Sequence, residues 1–335
     1  MRKVLNINRK WAFSKQAATV PSEMPSNWCF VNLPHSWNAI DGQDGDNDYF
    51  RGTCYYVKSF KKFELPEAEK YYLEIKGANS SADVYLNGKV LAHHDGGYST
   101  WRVDITNGIK EENLLVIAVD NAANDKVYPQ MADFTFYGGL YRDVNIICVP
   151  NAHFDLDYFG GPGITVTPVV DGKNANVAVV GYFTGLAGSE TVKYTIMDGA
   201  TVIAEATVNA SEGKADFVIE NSHLWNGRKD PYLYCCEAEI LEGEDVIDNV
   251  CPRFGCRSFK IDPNNGFILN GEEYPLRGVS RHQDRWGLGN ALKPEHHKED
   301  MDLIYEMGAT TIRLAHYQHD QYFYDLCDEY GMVVW

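Results

Sequence analysis

Residues 278–335 read GVSRHQDRWGLGNALKPEHHKEDMDLIYEMGATTIRLAHYQHDQYFYDLCDEYGMVVW, and this stretch decides the fold class. Gly278–Arg281 has the make-up of a short strand. Lys293-Pro294 opens a helix, with Pro near the first helical position. Met301, Ile304 and Met307 then recur at i, i+3, and Gly308 stops the helix. Thr310–Leu314 is a second strand. From about Asp320 a second helix places Phe323, Leu326, Cys327 and Tyr330 at i, i+3, i+4 and i+7, and Gly331 ends it. Met332–Trp335 is wholly apolar, as a buried parallel strand is. Strand–helix–strand–helix–strand is the beginning of an α/β domain. Three parallel strands and two helices neither close a barrel nor bury both sheet faces. The expectation is therefore the front part of a longer protein; a complete small α/β cap is the alternative.

Upstream, Phe267–Leu269, Asn270-Gly271 and Glu272–Leu276 read as a hairpin that opens this third region, residues 258–335. Residues 151–257 begin at the break Gly160-Gly161-Pro162-Gly163. About seven short strands then follow in about 100 residues, from Ile164–Val170 to Val246–Phe254, the arithmetic of an immunoglobulin-like β-sandwich. Residues 1–150 are also β-structure. Tyr71–Lys76 and Asp83–Leu86 alternate polar and apolar residues, Asn87-Gly88 supplies a type I′ turn, and Lys89–Ala92 returns. Trp101–Ile105 and Leu114–Val119 continue the pattern, as in a sandwich or jelly roll.

Composition narrows the classes. The 335 residues exceed one ordinary domain, and 44% hydrophobic with 23% charged residues is a globular mixture. Thirty Lys and Arg against 47 Asp and Glu give a net charge of −17, which disfavours nucleic acid and anionic membrane surfaces as partners. No apolar run reaches the roughly 20 residues of a membrane span, and no apolar segment follows the basic start Met1-Arg2-Lys3. The eight cysteines sit mostly in strand-like or helix-like apolar runs. They read as small hydrophobes in a reducing compartment without a disulfide framework, which implies a cytoplasmic protein.

Several residues carry chemistry. His282 and His316 each lie just past the C-terminal end of a strand expected to be parallel, where barrel enzymes keep their sites. An imidazole there can bond a sugar hydroxyl, but on residue type alone each reads slightly more as a structural side chain than as a ligand. Arg313, at the same end, can orient a carboxylate through charge-assisted bonds or close the barrel with a salt bridge. Glu299, Asp302 and Glu306 fall on one face of the first helix and read as a solvated surface. Asp284 reads as a partner of Arg281 or Arg285. Trp286 reads evenly as a stacking platform for a sugar face and as a barrel cap. The adjacent pairs His93-His94 and His296-His297 lack the spacing of zinc ligands, and Cys251…Cys256 lacks a second pair. No phosphate loop, nucleophile elbow or Cys/His dyad appears.

The motifs taken in order resemble one family. Leu33-Pro34-His35-Ser36-Trp37, Phe50-Arg51-Gly52, Val84-Tyr85-Leu86-Asn87-Gly88-Lys89 and Tyr137-Gly138-Gly139-Leu140-Tyr141-Arg142-Asp143-Val144 lie in the first region. Leu224-Trp225, Pro231-Tyr232-Leu233-Tyr234 and Phe254-Gly255-Cys256-Arg257 lie in the second. Leu276-Arg277-Gly278-Val279-Ser280-Arg281-His282, Ile312-Arg313-Leu314-Ala315-His316-Tyr317 and Cys327–Trp335 lie in the third. Together they are similar to glycoside hydrolase family 2, which includes β-galactosidases, β-glucuronidases and β-mannosidases. The chain departs from the family at Thr310, usually Asn, and at Gln318, usually Pro.

The resemblance implies a multidomain, mainly β chain. A jelly-roll sugar-binding-type sandwich (1–150) is followed by an immunoglobulin-like β-sandwich (151–257). The first strands and helices of a truncated (β/α)8 TIM barrel (258–335) come last. It implies the N-terminal part of a retaining exo-glycosidase acting on terminal β-galactosides. The alternatives are a β-glucuronidase or β-mannosidase of the same family, or a non-catalytic carbohydrate-binding or structural module. Retaining glycosidases use two carboxylates about 5–5.5 Å apart. The family's acid/base and nucleophile glutamates lie on later barrel strands, so no catalytic residue is assigned here and this chain by itself is expected to be inactive. The resemblance makes His282 and His316 contacts for sugar hydroxyls and Arg313 the orienter of a catalytic carboxylate. Asp133 reaches a sugar hydroxyl in the barrel, and Asn47, in the acidic loop 41–48, borders the site; on residue type alone both are turn residues. No cofactor or metal is assigned, since most ligands for the magnesium or sodium of some members would lie beyond Trp335. The expected partner is a β-linked oligosaccharide or glycoside, with a homo-oligomer of the full-length form left open.

Overall fold

Alternation of apolar and polar residues along short strands builds most of the molecule. In the computed structural model, which describes residues 1–15, 17–41, 48–127 and 132–335, β-strands dominate and two α-helices appear only near the C-terminus. The fold is a jelly-roll sandwich, an immunoglobulin-like sandwich and the start of a TIM barrel. The chain divides into two compact units. One holds residues 3–149 and 283–296, the other 1–2, 150–282 and 297–335.

In the first unit, Lys3–Asn6, Val144–Val149, Lys70–Ile75 and Trp101–Asp104 lie side by side in one sheet. Cys29–Val31, Trp11–Ser14, Thr53–Lys61, Glu112–Asp120, Ser81–Leu86 and Lys89–Asp95 form the other. Every pairing is antiparallel. Between the sheets Trp11, Tyr56, Leu73, Ile75, Leu86 and Ile117 form a closed core. Each such side chain contributes about 1.5–3 kcal/mol by leaving water. The Trp11 indole nitrogen donates to the Ile7 carbonyl at 2.7 Å, so the ring is buried without an orphaned donor. Asn87 and Gly88 have φ of 54° and 80°, the positive pair that a type I′ turn demands, and they join the last two strands.

In the second unit, Ile164–Asp171, Asn174–Gly181 and Lys214–Ile219 form one sheet of a sandwich. Thr201–Asn209, Thr191–Asp198, Tyr234–Glu242 and Asp245–Val250 form the other, with Arg253–Phe254 also paired to Tyr234–Glu242. Val177, Val192, Tyr194, Ile196, Ala238 and Ile240 fill the space between them. One expectation about cysteine is corrected here: Cys235 and Cys251 form a disulfide, with Cα atoms 6.3 Å apart. The cause is tertiary. Tyr234–Glu242 pairs with both Asp245–Val250 and Arg253–Phe254, so the connection that carries Cys251 runs alongside Cys235. The other six cysteines are thiols, five of them buried.

The same unit carries the barrel start. Gly278–Arg281, Thr311–Leu314 and Val333–Val334 pair in parallel, in that order. Helix α1, Pro294–Glu306, follows the first strand and helix α2, Gln321–Tyr330, the second. The Asp320 side chain accepts from the Tyr322 amide and caps α2. Gly331 ends the helix in the left-handed region, at φ 72°. In α1 the inward residues are His297, Met301 and Ile304, whereas Met307 lies past the helix end and is 65% exposed. The i, i+3 reading therefore holds for Met301 and Ile304 and fails at Met307. Glu299, Asp302 and Glu306 are exposed. The immunoglobulin-like sandwich is bolted to this α/β layer by Trp225, which is 2% exposed and donates from its indole nitrogen to the Asp328 carbonyl at 2.9 Å. Among the described residues no helix is long and apolar enough to cross a membrane.

Candidate functional site

Parallel strands bring residues of equal register to one end of the sheet. Ser280 pairs with Arg313 and Arg281 with Leu314, so the residues that follow, His282 and Ala315-His316, emerge together at the C-terminal edge. The rings of His282 and His316 meet edge to face, with centroids 5.2 Å apart. Arg313 reaches both strands: its guanidinium donates to the Ser280 hydroxyl at 3.1 Å and to His316 Nδ1 at 2.9 Å. Guanidinium nitrogens only donate, so His316 Nδ1 accepts and the ring proton sits on Nε2. His316 is exposed at this edge. The Tyr317 hydroxyl stands 3.5 Å from His282 Nδ1, and the Arg313 guanidinium lies 5.3 Å from the centre of the Trp335 ring. The edge thus presents two imidazoles, a cation and two aromatic rings.

Of the residues singled out from sequence, His282, Arg313 and His316 are brought together. Asp133 and Trp286 belong to the other compact unit, where both are exposed, Trp286 by 68%. Asn47 lies outside the described residues. In that unit the segment 283–296 joins the jelly roll. The Tyr137 hydroxyl donates to Asp284 at 3.1 Å, and Arg142 donates to Gln283 at 3.2 Å.

Arg281 does not pair with Asp284. Its guanidinium is buried and donates twice to Asp300 of α1, at 2.6 and 2.9 Å. It donates further to His297 and His319, each at 3.1 Å. Burial pulls the Arg281 pKa down from its ordinary value, and Asp300 opposes the shift. The sequence held a signal for this cluster: His297, Met301 and Ile304 follow i, i+4, i+7, which sets His297 on the core face of α1. Among the described residues no group of three or more His, Cys, Asp or Glu side chains is placed to hold a metal ion.

Three family models cover most of the chain in order. The galactose-binding domain-like model of glycosyl hydrolase 2 matches residues 46–154, the glycosyl hydrolases family 2 model 163–257, and the family's TIM barrel domain 260–335. The chain belongs to glycoside hydrolase family 2. It is 38% identical to a β-glucuronidase of Bacteroides fragilis over 91% of this chain and 46% of that protein. It is 28% identical to a β-galactosidase of Thermoanaerobacter pseudethanolicus over 99% of this chain and 46% of that one. Among solved structures, an FMN-binding β-glucuronidase from Facaelibacterium prausnitzii superposes with a TM-score of 0.93 at 42% identity, over all of this chain and 52% of that chain. The chain spans about half the length of the relatives it matches. Within the family frame, the His282–Arg313–His316 edge is the C-terminal end of the first barrel strands, the end at which barrel enzymes carry out chemistry.

Proposed function

We propose that the protein is a retaining exo-glycosidase that cleaves terminal β-linked sugars. The observation that carries the reading is the joint emergence of His282, Arg313 and His316 at the C-terminal ends of adjacent parallel strands. In this proposal the two imidazoles bind hydroxyls of the terminal sugar. His316 donates from Nε2, because Arg313 occupies its Nδ1. Arg313, itself fixed by Ser280 and His316, directs its remaining donors at the reacting carboxylate. The two carboxylates of the retaining mechanism are those the family resemblance assigns to later barrel strands. Asp133 is proposed as a further sugar contact and Trp286 as a stacking surface.

Two substrates compete. The names of the more similar relatives, at 38% and 42% identity, favour a β-glucuronide. A β-galactoside is the second reading, favoured by the match, over 99% of this chain and 46% of that protein, to a β-galactosidase. The test is hydrolysis of nitrophenyl β-glucuronide and nitrophenyl β-galactoside by the complete protein, with the anomeric configuration of the released sugar followed by proton NMR. Release of a β-sugar at first formation supports the reading. An α-product, or no turnover of either substrate, refutes it.

A further inference from the structure

Arg281 and Ala315 each immediately precede one of the two histidines at the strand edge, and a closed ring of hydrogen bonds ties them together. The Ala315 amide donates to the Arg281 carbonyl at 3.0 Å. The Arg281 guanidinium donates to His319 Nδ1 at 3.1 Å, and His319 Nε2 stands 3.3 Å from the Ala315 carbonyl. A guanidinium has only donors, so Nδ1 must accept; the proton of the neutral ring is then on Nε2, the nitrogen that faces the Ala315 carbonyl oxygen. Both ring nitrogens of His319 are thus used in a single tautomer. His319 is 1% exposed and Arg281 6%. The guanidinium lies 3.9 Å from the centre of the Phe323 ring and is held from the far side by Asp300 and His297. These bonds bear on Arg281 and Ala315, the residues that precede His282 and His316, and His319 also meets the Tyr317 ring, centroids 5.4 Å apart, whose hydroxyl stands 3.5 Å from His282 Nδ1.

We propose that His319 is a positioning residue: by bridging the Arg281 side chain and the Ala315 carbonyl, it sets the relative placement of His282 and His316. The inference rests on the reading that these two histidines contact the sugar. A shift of a few tenths of an ångström at Ala315 moves the His316 ring against its hydroxyl, and misplaced contacts cost catalysis more than stability. His319→Phe keeps a ring of similar size and deletes both bonds. His319→Gln returns a carbonyl acceptor and an amide donor.

Two readouts decide the matter. In the 335-residue chain, nitrogen-15 NMR of the imidazoles is expected to show His319 protonated on Nε2 alone. It should also show His282 and His316 resonances that shift in His319→Phe and stay near wild type in His319→Gln. In the complete protein, His319→Phe is expected to lower kcat/KM about 10- to 100-fold, mostly in kcat, with unchanged circular dichroism, and His319→Gln to recover most of it. Unshifted His282 and His316 resonances in a folded His319→Phe variant would overturn the proposal, as would a proton on His319 Nδ1. If His319→Phe does not fold, the tautomer in the wild type and the resonances of His319→Gln still decide. If the complete protein cleaves no β-glycoside, the glycosidase reading fails while the resonances still judge the positioning role.

Discussion

Asp300→Ala is the substitution whose cost the structure fixes most tightly. Asp300 Oδ2 accepts from Arg281 Nε and from the terminal guanidinium nitrogen, at 2.9 and 2.6 Å. The Arg281 side chain is 5% exposed and that of Asp300 25%. Removing the carboxylate takes from the buried guanidinium its bonded counter-charge and leaves it with His297, His319 and the Phe323 face. Breaking one side of a buried pair costs about 3–5 kcal/mol. Because a quarter of the Asp300 side chain meets water, the lower end, about 3 kcal/mol, applies. At 1.36 kcal/mol per factor of ten, that is a rise of more than about 100-fold in the opening equilibrium of the α/β layer. Hydrogen exchange at the Ala315 amide, which is bonded to the Arg281 carbonyl, reads this directly. Asp302→Ala, which removes an exposed partner of Lys298 on the same helix, should leave that exchange nearly unchanged. Arg281→Met combined with Asp300→Leu should recover most of the loss, since an apolar pair of similar volume replaces a buried ion pair at little cost. Exchange at Ala315 accelerated less than tenfold in Asp300→Ala would refute the reasoning.

Four further expectations follow from the same geometry. In the complete protein, His316→Ala should lower kcat/KM about 10- to 100-fold with stability nearly unchanged, the worth of one or two hydrogen bonds, while His94→Ala, on a hairpin of the jelly roll, leaves steady-state rates alone. Burial, with a smaller push from Lys15, holds the His35 pKa down at about 4; between pH 6.5 and 4 the unfolded chain binds a proton that the folded sandwich refuses, so stability is full above pH 6.5 and falls by about 3 kcal/mol as pH drops through that window, a loss that the urea midpoint of His35→Gln should lack. Gly331→Ala forces a side chain into the left-handed region and against the Gly227 backbone, and should cost about 2–3 kcal/mol, seen as an apparent Tm about 5–10 °C lower. On the proposed reading, in which the two reacting carboxylates stand on later barrel strands, the 335-residue chain assayed alone should give only background turnover of nitrophenyl glycosides.

Local chemistry was legible in the sequence where one residue decides one feature. Asp320 and Gly331 mark the ends of α2, and Asn87-Gly88 the hairpin, because capping and positive φ depend on the residue itself. His282, Arg313 and His316 were legible as a set because parallel register carries them to one edge. What stayed hidden depends on distant partners. Arg281 selects Asp300 on the following helix over the neighbouring Asp284, which Tyr137 engages instead. His319 is invisible as a bridge until Ala315 and Arg281 are brought beside it. Cys235 and Cys251 look like strand hydrophobes until antiparallel pairing sets their Cα atoms 6.3 Å apart. Met307 continues the apolar period in the sequence, but helix α1 ends at Glu306 and leaves it exposed.

The most direct measurement is a crystal structure of the complete protein soaked with the monosaccharide product, glucuronic acid or galactose. The account predicts sugar hydroxyl oxygens within hydrogen-bond distance, about 2.7–3.2 Å, of His316 Nε2 and of the His282 ring, with Arg313 still bonded to His316 Nδ1. A sugar seated elsewhere, with His282 and His316 contacting only protein, would contradict it.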